Sequence, residues 1–182
     1  MREFEEMRLA RVIDACGGID GRVKMQKIVF LLRAMGYDLP FDDFRIRQHG
    51  PFSRGVACAT DLLSGANLVV EKEESLQITK PFGEQAKQYS YELNAGVRDL
   101  VHQHFDVAAP KGKPPIDNIA SELKSKDRKV LEVAATKVYL QSEEELSGDE
   151  LDAELRRLKG HLAANFEAAD RLLAELSQKN LL

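Results

Sequence analysis

The sequence predicts a mainly α fold of the α+β class, in two parts. Three observations carry this. Apolar residues recur at helical spacing through most of the 182 residues. Two short β-prone runs, at 68–71 and 76–79, flank a polar stretch. A breaker-rich segment, Pro110-Lys111-Gly112-Lys113-Pro114-Pro115, divides residues 1–109 from a second half, 110–182, whose periodicity is helical almost throughout.

Met7, Ala10, Val12, Ile13 and Cys16 space a first helix over 3–16, stopped by Gly17-Gly18. Met25, Ile28, Val29, Leu32 and Met35 then fall at i, i+3, i+4, i+7 and i+10. That is an amphipathic helix ended by Gly36, with Lys24 and Lys27 on its polar side and Phe30 and Leu31 widening its stripe. Pro40 and Asp42-Asp43 turn the chain. Phe44 to Gln48 alternates as a short strand, and Gly50-Pro51 breaks it. Ser53 caps a third helix with Val56, Ala59 (or Thr60) and Leu63 inside. A hairpin follows, with its turn at Lys72-Glu73-Glu74-Ser75. Thr79 then caps a helix over 81–94, with Pro81 in its first turn.

Past the breakers, Ile116, Ile119, Ala120 and Leu123 mark a short helix. Val130, Leu131, Ala134, Ala135, Val138 and Tyr139 mark a stronger one. Ser147 and Glu150 form a capping box ahead of Leu151, Leu155, Leu158 and Leu162. Asn165 caps a last helix striped by Phe166, Ala169, Leu172, Leu173 and Leu176.

The first half thus runs helix, helix, strand, helix, hairpin, helix. That is the element order of a winged-helix domain: the third helix stands where a recognition helix stands, and the hairpin is the wing. The all-helical second half is expected to dimerise or bind a partner.

Composition excludes several classes. Apolar residues make up 43% and charged residues 31%, a globular balance, and 26 basic against 30 acidic residues leave a net charge of −4. A generally basic, histone-like binder is excluded. No apolar run is long enough to span a bilayer, so no membrane association is expected. The two cysteines, Cys16 and Cys58, stand in no metal-like spacing and fit a reducing cytoplasm. His102-Gln103-His104 places its histidines on different sides of a helix, so no metal is expected. No phosphate loop, nucleophile elbow or metalloprotease motif occurs, and neither an enzyme nor a cofactor is expected.

Several motifs resemble a known family. Gly21-Arg22-Val23-Lys24-Met25-Gln26-Lys27-Ile28-Val29-Phe30-Leu31-Leu32 is similar to the "GR-x-K-L-Q-K-L-x-Y-L-L" opening of YwgA-like proteins. Phe44 to Ser53, ending His49-Gly50-Pro51-Phe52-Ser53, resembles their "F-x-x-Y-x-Y-G-P-Y-S", with His49 at an aromatic position and Phe52 for Tyr. Asp61-Leu62-Leu63 matches a "D-L" helix. Glu132 to Leu140 resembles an "A-T-x-x-Y-L" helix. Leu158-Lys159, then Phe166 and Ala169, resembles the "L-K-P-x-F… A" ending, with Gly160 replacing Pro. The related Panacea domain of antitoxin-like proteins shares the first signature and the "G-P". The resemblance implies a winged-helix fold and leaves the activity open.

Between Arg22 and Arg54 stand seven basic residues, Arg22, Lys24, Lys27, Arg33, Arg45, Arg47 and Arg54, against three aspartates. This local excess of four predicts a phosphate-facing patch. Arg45 and Arg47 share one strand face, and Ser53-Arg54 open a helix whose N-terminal amides suit a phosphate. With Lys24, Lys27, His49 and the wing residue Lys72, they form the expected nucleic-acid-binding set of a helix-turn-helix regulator on duplex DNA. Base reading would fall to Arg54, Thr60 and Asp61. The alternative is a protein-interaction module, antitoxin-like or an accessory subunit, in which the acidic wing Glu71-Lys72-Glu73-Glu74 faces a protein. Leu172, Leu173, Leu176, Leu181 and Leu182 crowd the last helix and suggest a homodimer contact.

Overall fold

The chain folds into helices with two small antiparallel sheets among them. The structure is a computed structural model that describes residue 4 and residues 6–79 and 85–182; of 75–79 and 85–87 only the backbone is described. Helix α1 spans Glu6–Ala15, strand β1 Ile19–Asp20 and helix α2 Arg22–Ala34. Strands β2 (Arg45–Arg47) and β3 (Gly50–Phe52) precede α3 (Arg54–Gly65). Strands β4 (Val69–Thr79) and β5 (Gln85–Leu93) come next. Then follow α4 (Arg98–His104), α5 (Ile116–Ser125), α6 (Arg128–Ser142), α7 (Gly148–Lys159) and α8 (Phe166–Gln178). Among the described residues no helix is long and apolar enough to cross a membrane.

The expected helical stripes are buried. Met25, Ile28, Val29, Leu32 and Met35 are all inside, as are Ile119, Leu123, Ala134, Leu155 and Leu172. Gly36, at φ +87, closes α2, where its amide and that of Tyr37 cap the carbonyls of Arg33 and Leu32. α2 packs against α3, α5 and α6, so helices of the second half lie directly on those of the first. Arg11, buried on α1, makes a two-pronged pair with Asp117 of α5 and a further contact with Asp106. The breaker segment is tied down: Tyr37 Oη donates to the Pro114 carbonyl at 2.7 Å, and Lys113 Nζ donates to the carbonyls of Met35 and Leu181.

Four expectations fail here. Gly50-Pro51 does not end a strand; it begins β3, which pairs with β2 through Arg45↔Phe52 and Arg47↔Gly50. Lys72-Glu73-Glu74-Ser75 is not a turn but the middle of β4, which pairs with β5 from Val69↔Leu93 outward. Where a helix is expected over 81–94, the described residues Gln85–Leu93 form β5, whose Tyr91 and Leu93 enter the core in alternation. The place where β4 turns into β5, and with it Pro81, lies outside the described residues. The Ser147 hydroxyl and the Asn165 side chain make no capping bond. The larger sheet runs β1-β5-β4.

Candidate functional site

The β2–β3 hairpin and the start of α3 gather most of the expected residues. Two residues, Gln48 and His49, make its turn. Gly50 has φ +84, and a Cβ there would meet Thr136 Oγ1 at 2.6 Å, so only glycine fits. That close approach sets the hairpin against α6.

Three buried charges lie beneath it. Lys27 of α2 donates from Nζ to the Pro51 carbonyl at 2.6 Å. Lys159 of α7 donates to the Gln48 carbonyl at 2.7 Å and to Glu132 Oε1 of α6 at 2.7 Å. All three side chains are at most 3% exposed. Two lysines thus grip one carbonyl in the turn and one in β3, around one carboxylate. Burial, opposed by Glu132 and reinforced by Lys159, pulls the Lys27 ammonium down to about 7. Above them His49 is exposed, with Nδ1 3.7 Å from Glu132 Oε2.

The α3 N-terminus is locked by side chains. Gln26 brackets Ser53, accepting from its amide at 2.8 Å and donating to its carbonyl at 2.9 Å. Ser53 Oγ accepts from the Val56 amide at 2.9 Å, the expected cap. The Ser53 hydroxyl also donates to Asp43, whose carboxylate accepts from the Gly55 amide at 3.0 Å. Burial alone would raise the Asp43 carboxyl, but the Ser53 hydroxyl and the Gly55 and Arg54 amides hold it below the ordinary range. This corrects the expectation of free amides awaiting a phosphate. An anion from the chain itself already occupies that helix end.

Arg45, Arg47 and Arg54 stand exposed around this frame and make no ion pair among the described residues. Lys27 and Ser53 are internal, because α2 is buried on the side turned to the hairpin; neither reaches a surface phosphate. Lys24 is half-buried in a separate cleft with Lys126 and Arg128. Lys72 lies on β4 and pairs with Glu92 at 2.7 Å. Thr60 is not on the outer face of α3: it is buried, donating to the Val56 carbonyl. That outer face carries Arg54, Cys58, Asp61 (paired with Arg22 at 2.7 Å) and Leu62, which is 60% exposed.

Elsewhere, His102 Nε2 contacts Asp14 at 2.6 Å, and among the described residues no group of ligating side chains could hold a metal. Leu172, Leu176 and Leu181 are core residues rather than an exposed stripe; Leu182 is 40% exposed. Sequence reasoning passed over Gln26, Asp43, Glu132 and Lys159. A signal existed for the first: the five consecutive apolar residues after Lys27 leave the middle of α2 no consistent polar face, so Gln26 and Lys27, which adjoin them, had to be internal. No protein-family model and no curated protein matches the chain.

Proposed function

We propose that this chain is a non-enzymatic, cytoplasmic DNA-binding protein of the winged-helix, YwgA-like type. The β2–β3 hairpin and the first turn of α3 would lie on the phosphate backbone of duplex DNA. One observation carries the reading: Arg45, Arg47 and Arg54 are exposed on adjoining elements, without carboxylate partners among the described residues, in an acidic chain. The order α1-β1-α2-β2-β3-α3-β4-β5, in which the β2–β3 hairpin is an insertion between α2 and α3, with the sheet order β1-β5-β4, supports the winged-helix part. Residues 1–109 form the binding unit in this reading, and 110–182 the helical unit for self-association. Recognition is chiefly of the backbone, since the outer face of α3 offers few side chains suited to reading bases.

A second reading, a protein-interaction module, is favoured by one specific feature. Leu62 is 60% exposed on the outer face of α3, in its C-terminal half and beside Asp61. A leucine and a carboxylate there suit a protein surface better than a DNA groove.

Fluorescence anisotropy with a mixed-sequence duplex at low and near-physiological salt separates them. Three phosphate contacts give a log–log salt slope of about −3, and the Arg47→Glu/Arg54→Glu variant abolishes binding. Absence of binding at low salt sinks the DNA reading. Pull-downs with the wild type and Leu62→Glu then test the protein one.

A further inference from the structure

A cavity of about 350 Å³ lies between α2, the β2–β3 turn and α3. Its size falls within the range of small-molecule sites. Met25 and Val56 belong to its apolar wall. Four of its lining side chains can ionise, Arg22, Lys27, Arg47 and His49, and all four are bases. Among the described residues no carboxylate lines it, although acids outnumber bases in the chain.

The four differ in what they have left to offer. Arg22 is already engaged by Asp61, Glu71 and the Tyr91 hydroxyl. Arg47 has no ion-pair partner among the described residues. Lys27, 1% exposed, gives one hydrogen bond among the described residues, to Pro51, although an ammonium has three donors. The carboxylate whose charge acts on it, Glu132, is paired with Lys159. An anion entering from the cavity would compensate this buried cation in a setting where charges interact strongly.

We propose that this cavity binds a small organic anion: an apolar, ring-sized body bearing one carboxylate, sulfonate or phosphate group. The charged group lies toward Arg47 and Lys27, and the body lies along Met25 and Val56. The site shares Arg47 with the DNA reading, and Arg54, which does not line it, tells the two apart.

The test uses the full chain and 8-anilinonaphthalene-1-sulfonate, followed by its fluorescence. N-phenyl-1-naphthylamine, closely similar but lacking the sulfonate, is the neutral control. Two variants probe the place. Arg47→Gln removes an exposed cation and leaves the core alone. Ala57→Phe fills the cavity, whose wall includes Ala57. Saturable binding of the sulfonate is expected, weakened about tenfold by Arg47→Gln, lost in Ala57→Phe, and absent or much weaker for the neutral probe. Circular dichroism checks that each variant folds; should Ala57→Phe fail, Arg47→Gln decides alone. Equal binding of the two probes, no saturable binding, or unchanged binding in the folded variants overturns the proposal. Arg54→Gln, assayed alongside with both duplex and probe, weakens only the duplex, so the two readings fail separately.

Discussion

The two hairpins of this protein hold their ribbons in opposite ways. The β4–β5 ribbon is long and supports itself through its own backbone ladder, from Val69↔Leu93 to Ser75↔Lys87. Among its described side chains only the root is buried, at Val69, Tyr91 and Leu93; from Glu71 to Glu74 every side chain is exposed. The β2–β3 ribbon has three residues in each strand, too few to persist alone. Side chains from elsewhere hold it: Lys27 and Lys159 at the turn, Gln26 and Asp43 where it meets α3. A self-supporting ribbon spends its side chains on its surface. A ribbon gripped from below can be short and still present arginines at fixed positions.

Deleting the charge that serves both lysines tests this most severely. Glu132→Ala leaves two buried ammonium groups unneutralised and is expected to destabilise the fold by about 3–5 kcal/mol, read as a lower urea midpoint at pH 7. A midpoint close to wild type would mean that the short ribbon does not depend on the network. Gly50→Ala forces a positive φ and a collision with Thr136, and should lose about 2–3 kcal/mol in the same assay.

The network should also leave a pH signature. Lys27 titrates near 7 in the folded chain, against 10.5 for a free lysine. Above pH 7 the unfolded chain therefore holds a proton that the folded chain has released. Folding stability should rise with pH, by at most about 1.4 kcal/mol per unit. Beyond pH 9 the rise is opposed by Cys16, whose thiol burial pushes up to about 12, so that the folded chain retains the extra proton there. Unfolding free energies at pH 7, 8 and 9 check the slope, and Lys27→Met should remove it. The smallest effect belongs to the long ribbon. Glu92→Ala breaks its exposed pair with Lys72 and should shift stability by less than about 0.5 kcal/mol.

The sequence made the helices legible and the ribbons only partly so. Helices announce themselves by periodic burial, and α2, α5, α6 and α8 each bury one full stripe. β4 hides in its middle: from Glu71 to Glu74 both of its faces meet solvent, so no alternation survives there and consecutive charges imitate a turn. In β5 the alternation of Tyr89, Tyr91 and Leu93 was present, but Thr79 and Pro81 mimic a helix start. The exposed arginines were readable from local charge. The buried network was not, because Lys27, Glu132 and Lys159 lie on three different helices, and no local pattern records a meeting that only tertiary packing creates.

Lys159 and the Gln48 carbonyl are 111 positions apart along the chain. During synthesis the residues of the β2–β3 turn emerge first, and the lysine that fastens them emerges 111 residues later. Every hydrogen bond between them must wait for the intervening helices to be made and folded. The arginine surface is thus old in order of manufacture and young in order of completion. A nascent chain carries those arginines on an unfastened loop, and the finished chain carries them on a frame.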